Sequence, residues 1–221
     1  MDIAQNLWML LILPLFAVLF TIIPSAYIAL PKRRITLGLT IISSSVSLII
    51  SLIYAGYLLH HPNETLETNF VFLNSGAFKI HIGAFMDKIS VFVLLIFNII
   101  ALTCGIFSYK YMQNKEDFSR FFVLLNLFIF SMTGLILSAN LIQFYIFWEL
   151  TGVFSYLLIG FYYKRPASEK AARKTFLINK IGDFALLAAV LNFSYFLIQD
   201  TDAIFYPLLT LNDVSTWGLM A

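Results

Sequence analysis

Residues 141–162 read LIQFYIFWELTGVFSYLLIGFY, an apolar run broken by one formal charge, Glu149. As a helix this run crosses the roughly 30 Å of bilayer hydrocarbon, which takes about 20 residues. The next apolar run holds two more charges, Lys180 and Asp183, in Asn179-Lys180-Ile181-Gly182-Asp183. Ionisable side chains at such depth are costly and face a protein interior or a water-filled path. The two stretches therefore predict both a membrane fold and ion movement through it.

The rest of the chain agrees. Of 221 residues, 60% are hydrophobic and 12% charged, and the mean hydropathy is +0.87; soluble domains carry about 25% charged residues. The reading is an all-α polytopic membrane protein of six spans, at 7–30, 35–59, 89–109, 121–138, 141–162 and 175–199, with Pro14 and Pro24 bending the first. The N-terminal run follows Asp2, lacks a basic leader and exceeds a signal-peptide core, so it reads as a mature span. Cys104 is the sole cysteine, which excludes a disulfide within the chain and a cysteine-held metal or iron–sulfur site; it reads as packing. A net charge of +2 scattered over loops argues against nucleic acid.

Basic residues set the orientation. Lys32, Arg33 and Arg34, then Lys110, Lys115 and Arg120, then Lys164, Arg165, Lys170, Arg173 and Lys174 make eleven of fourteen, all in alternate loops. Cytoplasmic loops carry such an excess, so the N-terminus and the tail are expected on the opposite side. The organisation is two spans in 1–59, an outer loop at 60–88, two spans in 89–138, two in 139–199, and an outer tail at 200–221. In the outer loop, Phe70–Leu73 and Phe78–Ile82 flank Asn74-Ser75-Gly76, which predicts a small β-hairpin. Asp87 and Lys88 read as a helix start and an interfacial anchor rather than ligands. His60, His61 and His81 show no third-ligand spacing and read as solvated, so no metal site is expected.

On a helix, Tyr145, Glu149, Gly152, Tyr156 and Gly160 share one face, with Phe147, Leu150, Phe154 and Phe161 opposite. The polar and small stripe is expected to pack inward. Glu149 lies nine residues beyond Asn140, about 13 Å deep at 1.5 Å per residue. On the sixth span Asn179, Lys180 and Asp183 fall within one arc, and Lys180 and Asp183 pair at i,i+3; Lys180 is also placed to snorkel towards the cytoplasmic end. The candidate relay is Glu149, Lys180 and Asp183, with Tyr145, Tyr156 and Asn179 in support. The plainer alternative is a structural Lys180–Asp183 pair that fixes helix register. No nucleotide, haem or Ser-His-Asp pattern is present.

The stretch Asn140–Tyr163, with Trp148-Glu149-Leu150-Thr151-Gly152 at its centre, resembles the L-type antiporter-like subunit of respiratory complex I, the proton-translocating NADH:quinone oxidoreductase. Lys174–Asp183 and the Asp87-Lys88-Ile89-Ser90 that follows an outer hairpin continue the likeness. The large subunit of Mrp-type sodium/proton antiporters shares these motifs. The resemblance implies a membrane-arm subunit in the inner or cytoplasmic membrane that takes part in proton translocation. It implies partners among other membrane subunits and lipid, and NADH, FMN, iron–sulfur and quinone chemistry on other subunits. It assigns Glu149 to the family's fifth-helix Glu, Asp183 to its sixth-helix Asp, and Lys180 to a basic position. The family pairs that Glu with a seventh-helix lysine, for which the sequence to Ala221 offers no counterpart. The expectation is thus a split or truncated subunit, partnered by its remainder, in which Glu149 lacks a controlling cation and the isolated chain carries no flux. An Mrp-type antiporter part and a non-transporting membrane product remain the alternatives.

Overall fold

A computed structural model describes residues 6–27, 32–61, 64–75, 78–112 and 117–201. The order is α1 (Leu7–Tyr27), α2 (Lys32–His60), β1 (Leu66–Ser75), β2 (Phe78–Met86), α3 (Lys88–Met112), α4 (Phe118–Ile136), α5 (Leu141–Ile159) and α6 (Pro166–Thr201). All six apolar runs are helices. Five contain described segments long and apolar enough to span a bilayer: Ile35–His60, Lys88–Met112, Phe118–Ile136, Leu141–Ile159 and Pro166–Asn192. The described side chains of α1 give a shorter apolar helix, Leu7–Ile22, and α1 runs unbroken through Pro14 and Pro24. This is an integral membrane protein. The expected outer tail lies outside the described residues apart from its first two, which end α6.

The helix ends follow local chemistry more than hydropathy. Asn140 caps α5, its side chain accepting from the Gln143 amide at 2.8 Å. Asp87 caps α3, accepting from the Ser90 amide at 2.7 Å, as its sequence position predicts. The sixth helix starts at Pro166, nine residues ahead of the expected span. Proline suits a first helical position, and Glu169 pairs with Arg173 one turn on. Those polar first turns are helical outside the apolar stretch, where hydropathy carries no signal.

Packing builds two cores. One gathers Leu7, Leu10, Tyr54, Leu58, Met86, Leu94 and Leu137, from α1, α2, α3, β2 and the end of α4. The other gathers Ala101, Met112, Phe118, Phe122, Leu125, Ile129 and Phe161. Phenylalanines also face outward, Phe92, Phe107 and Phe184 among them. Cys104 is exposed on α3 rather than packed in the interior, because its neighbours Ala101 and Gly105 take the buried side of that turn.

The hairpin is longer than its sequence signal. Antiparallel pairing runs from Leu66–Met86 to Ser75–Phe78, with an irregularity between Val71 and Leu73. Its base is bolted to the α4–α5 junction. Ala84 bridges Ser138, and the Phe85 amide donates to the Leu137 carbonyl at 3.0 Å. The buried Gln143 amide accepts from the Gly83 N–H at 3.0 Å and donates to the Gly83 carbonyl at 2.8 Å. Gly83 has no room for a Cβ, which would meet Ala139 Cβ at 2.7 Å and the Thr68 carbonyl at 2.9 Å. The hairpin thus anchors the end of α5 from which Glu149 is measured.

Candidate functional site

Helix α5 is packed on two sides. Phe147 was expected opposite the packed stripe; instead its ring fills the space over Gly134 of α4 and meets Phe130 edge-on at 5.5 Å. A glycine opposite an aromatic ring lets the two helices approach closely. The next two residues, Trp148 and Glu149, turn towards α6.

There the three predicted charges meet. Lys180 Nζ pairs with Glu149 Oε2 and lies 3.3 Å from Asp183 Oδ2. The i,i+3 pair foreseen on α6 is therefore present, but it is half of a triad. The expectation that Glu149 lacks a cation is corrected: Lys180 supplies it from the neighbouring helix. The expected snorkelling of Lys180 is corrected for the same reason. Two carboxylates within reach of one ammonium hold it inside, and the Phe176 ring faces it at 5.4 Å.

Each carboxylate also has a neutral aromatic donor. The Tyr145 hydroxyl donates to Glu149 Oε1 at 2.8 Å, one helical turn away on the face that periodicity assigned. The Trp148 indole N–H donates to Asp183 Oδ1 at 2.8 Å across the helix interface. Trp148 was not foreseen as a site residue. The signal was available, since a tryptophan in mid-span needs an acceptor for its N–H and a carboxylate, Asp183, lay on the next helix.

The supporting residues divide. Tyr156 packs on Phe176 at 5.1 Å between ring centres, so it borders Lys180 through an aromatic contact and not through its hydroxyl. Asn179 is half-buried and makes no hydrogen bond to the triad among the described residues. Asp183 is buried, with 7% of its side chain exposed, whereas Glu149 and Lys180 keep 25% and 30%. Glu149 and Lys180 are thus the more accessible members of the triad. Fully ionised, it holds two carboxylates against one ammonium. Such a set leaves one carboxylate charge without a cation of its own among the described residues.

His60 and His61 each turn back towards the backbone of α2. Their Nδ1 atoms lie 2.8 and 3.1 Å from the Gly56 and Tyr57 carbonyls in the last turn of α2.

Known proteins match in the same places. Residues 138–217, which contain the triad, match the family model described as NADH:quinone oxidoreductase/Mrp antiporter, transmembrane. Residues 72–122, from the hairpin through α3, match NADH-ubiquinone oxidoreductase (complex I), chain 5 N-terminus. The resemblance holds in both halves of the chain. Curated relatives agree. The chloroplastic NAD(P)H-quinone oxidoreductase subunit 5 of Anthoceros angustus is 40% identical over 163 residues, covering 73% of this chain and 22% of its own length. The subunit of the same name in Nephroselmis olivacea is 34% identical over 192 residues, covering 85% of this chain and 29% of its own. That of Gossypium barbadense is 43% identical over 141 residues. The chain thus spans 19–29% of the length of these relatives.

Proposed function

We propose that this chain forms part of the membrane arm of a proton-translocating NADH:quinone oxidoreductase and carries protons through the Glu149–Lys180–Asp183 triad. The observation that carries this reading is the position of Lys180, one ammonium shared by two carboxylates from adjoining membrane helices. When Lys180 closes on Glu149, Asp183 is left with the Trp148 donor alone; when it closes on Asp183, Glu149 is left with the Tyr145 donor alone. Movement of one side chain then moves the preferred proton site across the helix interface. Tyr145 and Trp148 hold the two carboxylates apart while this happens.

The partners of this reading are other membrane subunits, lipid and further subunit sequence of the kind its longer relatives contain. NADH, FMN, iron–sulfur and quinone chemistry belongs to other subunits. The basic loops around Arg33, Arg120 and Lys164 face the cytoplasmic side, and an impermeant thiol reagent added outside should leave cysteines placed at Arg33, Ser119 or Ala167 unlabelled. The family model over 138–217 is shared with Mrp antiporters, which makes a cation/proton antiporter the second reading. Affinity isolation of the chain from its own membranes separates them. Co-isolation of NADH- or quinone-linked oxidoreductase activity supports the first reading; a stable assembly without redox activity, exchanging sodium for protons, supports the second.

A further inference from the structure

We propose that Trp148 is a positioning residue of this relay: its indole N–H holds the Asp183 carboxylate where Lys180 is shared with Glu149. The inference rests on the proton-carrying reading of the triad. Trp148 sits seven residues into α5, about 10 Å along the helix axis. Membrane tryptophans gather at the two interfaces, where the ring sits among headgroups; one at this depth meets its single donor requirement within the protein. It does so on Asp183, at 2.8 Å. The ring itself is held in place by Phe144, one turn earlier, whose ring stacks on it at 6.0 Å with an interplanar angle of 28°.

The geometry explains why a fixed Asp183 matters. Asp183 Oδ1 is taken by Trp148, and Oδ2 is the oxygen that faces Lys180 at 3.3 Å. The indole therefore selects which carboxylate oxygen is presented to the ammonium. Glu149 is arranged in the same way, with Oε1 on Tyr145 and Oε2 on Lys180. Without the indole, the Asp183 side chain is free to turn and close fully on Lys180 from its own helix, three residues away. That favours a static pair on α6 and withdraws the cation from Glu149.

The test uses the native membrane assembly containing this chain. Tryptophan is labelled with 15N in the indole ring, and the Trp148 signal is identified by its loss in Trp148→Phe. Asp183→Leu should shift that signal; an unmoved signal overturns the inference whatever the transport result. In vesicles, Trp148→Phe should lower the protons moved per electron pair as far as Asp183→Leu does, and the double variant should lower it no further. Position 148 carrying benzothienylalanine, which keeps the ring shape and lacks the N–H, should behave like Trp148→Phe. Full proton movement with benzothienylalanine, alongside impaired Asp183→Leu, overturns the inference and leaves the relay standing. Undiminished proton movement in both Asp183→Leu and Glu149→Gln, with the indole signal still shifted, overturns the relay and with it the positioning role, but not the hydrogen bond.

Discussion

Two of the polar regions among the described residues of this membrane protein are built differently. Along α2, Thr36, Thr40, Ser43, Ser44, Ser47 and Ser51 are all buried. Asn126 of α4 donates to Thr40 at 2.7 Å, and Asn98 of α3 donates to Ser51 at 2.8 Å. Every group in that seam is neutral, and the two asparagines are no more than 1% exposed. Between α5 and α6 the central polar groups are charged, share partners, and are partly exposed at Glu149 and Lys180. A neutral amide–hydroxyl bond has one arrangement and fixes two helices in register. A cation between two acids has two arrangements of similar chemistry and can move between them. The first region is a fastener, and the second is the proposed switch.

That contrast makes stability and transport separable. The largest loss of stability is expected where fastening is densest, at Gln143. Gln143→Ala leaves the Gly83 N–H and carbonyl unpaired, at roughly 1–3 kcal/mol for each group; graded denaturation of the detergent-solubilised assembly should show it first. Gly134→Ala comes next, because a Cβ there enters the Phe147 ring, and overpacking of this kind costs about 1–3 kcal/mol. Asn126→Leu should cost about 1 kcal/mol or less. It removes the bond to Thr40 but also removes the Asn126 Oδ1, which is buried with no hydrogen-bond partner. The smallest stability change is expected for Glu149→Gln: the amide oxygen can accept from Lys180, the NH2 can donate to the Tyr145 hydroxyl oxygen, and Lys180 keeps Asp183 as its counter-ion. An inverted order, with the triad more costly to alter than the seam, would mean that the triad is itself a fastener and would favour the structural alternative for Lys180 and Asp183.

What the sequence made legible follows from what each signal measures. Hydropathy found all six helices because the hydrocarbon thickness constrains every one of them. It misplaced the start of α6, since Glu169 and Arg173 stabilise helix outside the membrane. The face that Glu149 shares with Tyr145 and the Lys180–Asp183 spacing followed from helical period. The partnership across the interface did not. Lys180 has a four-carbon stem, and period alone does not say which of two carboxylates it reaches. The Gln143–Gly83 clasp joins residues sixty positions apart, beyond any local pattern. The α2 seam was visible as serines and threonines, yet its meaning depends on Asn98 and Asn126 arriving from other helices.

The central claim is that the triad moves protons instead of merely tying α5 to α6. It is tested most directly by proton movement and electron transfer measured together in vesicles bearing the assembly with Glu149→Gln. Glutamine keeps the shape and one acceptor oxygen for Lys180, but holds no exchangeable carboxyl proton. The account predicts fewer protons per electron pair with the assembly intact and its redox centres still reducible. An unchanged ratio of protons to electrons in that variant would contradict it.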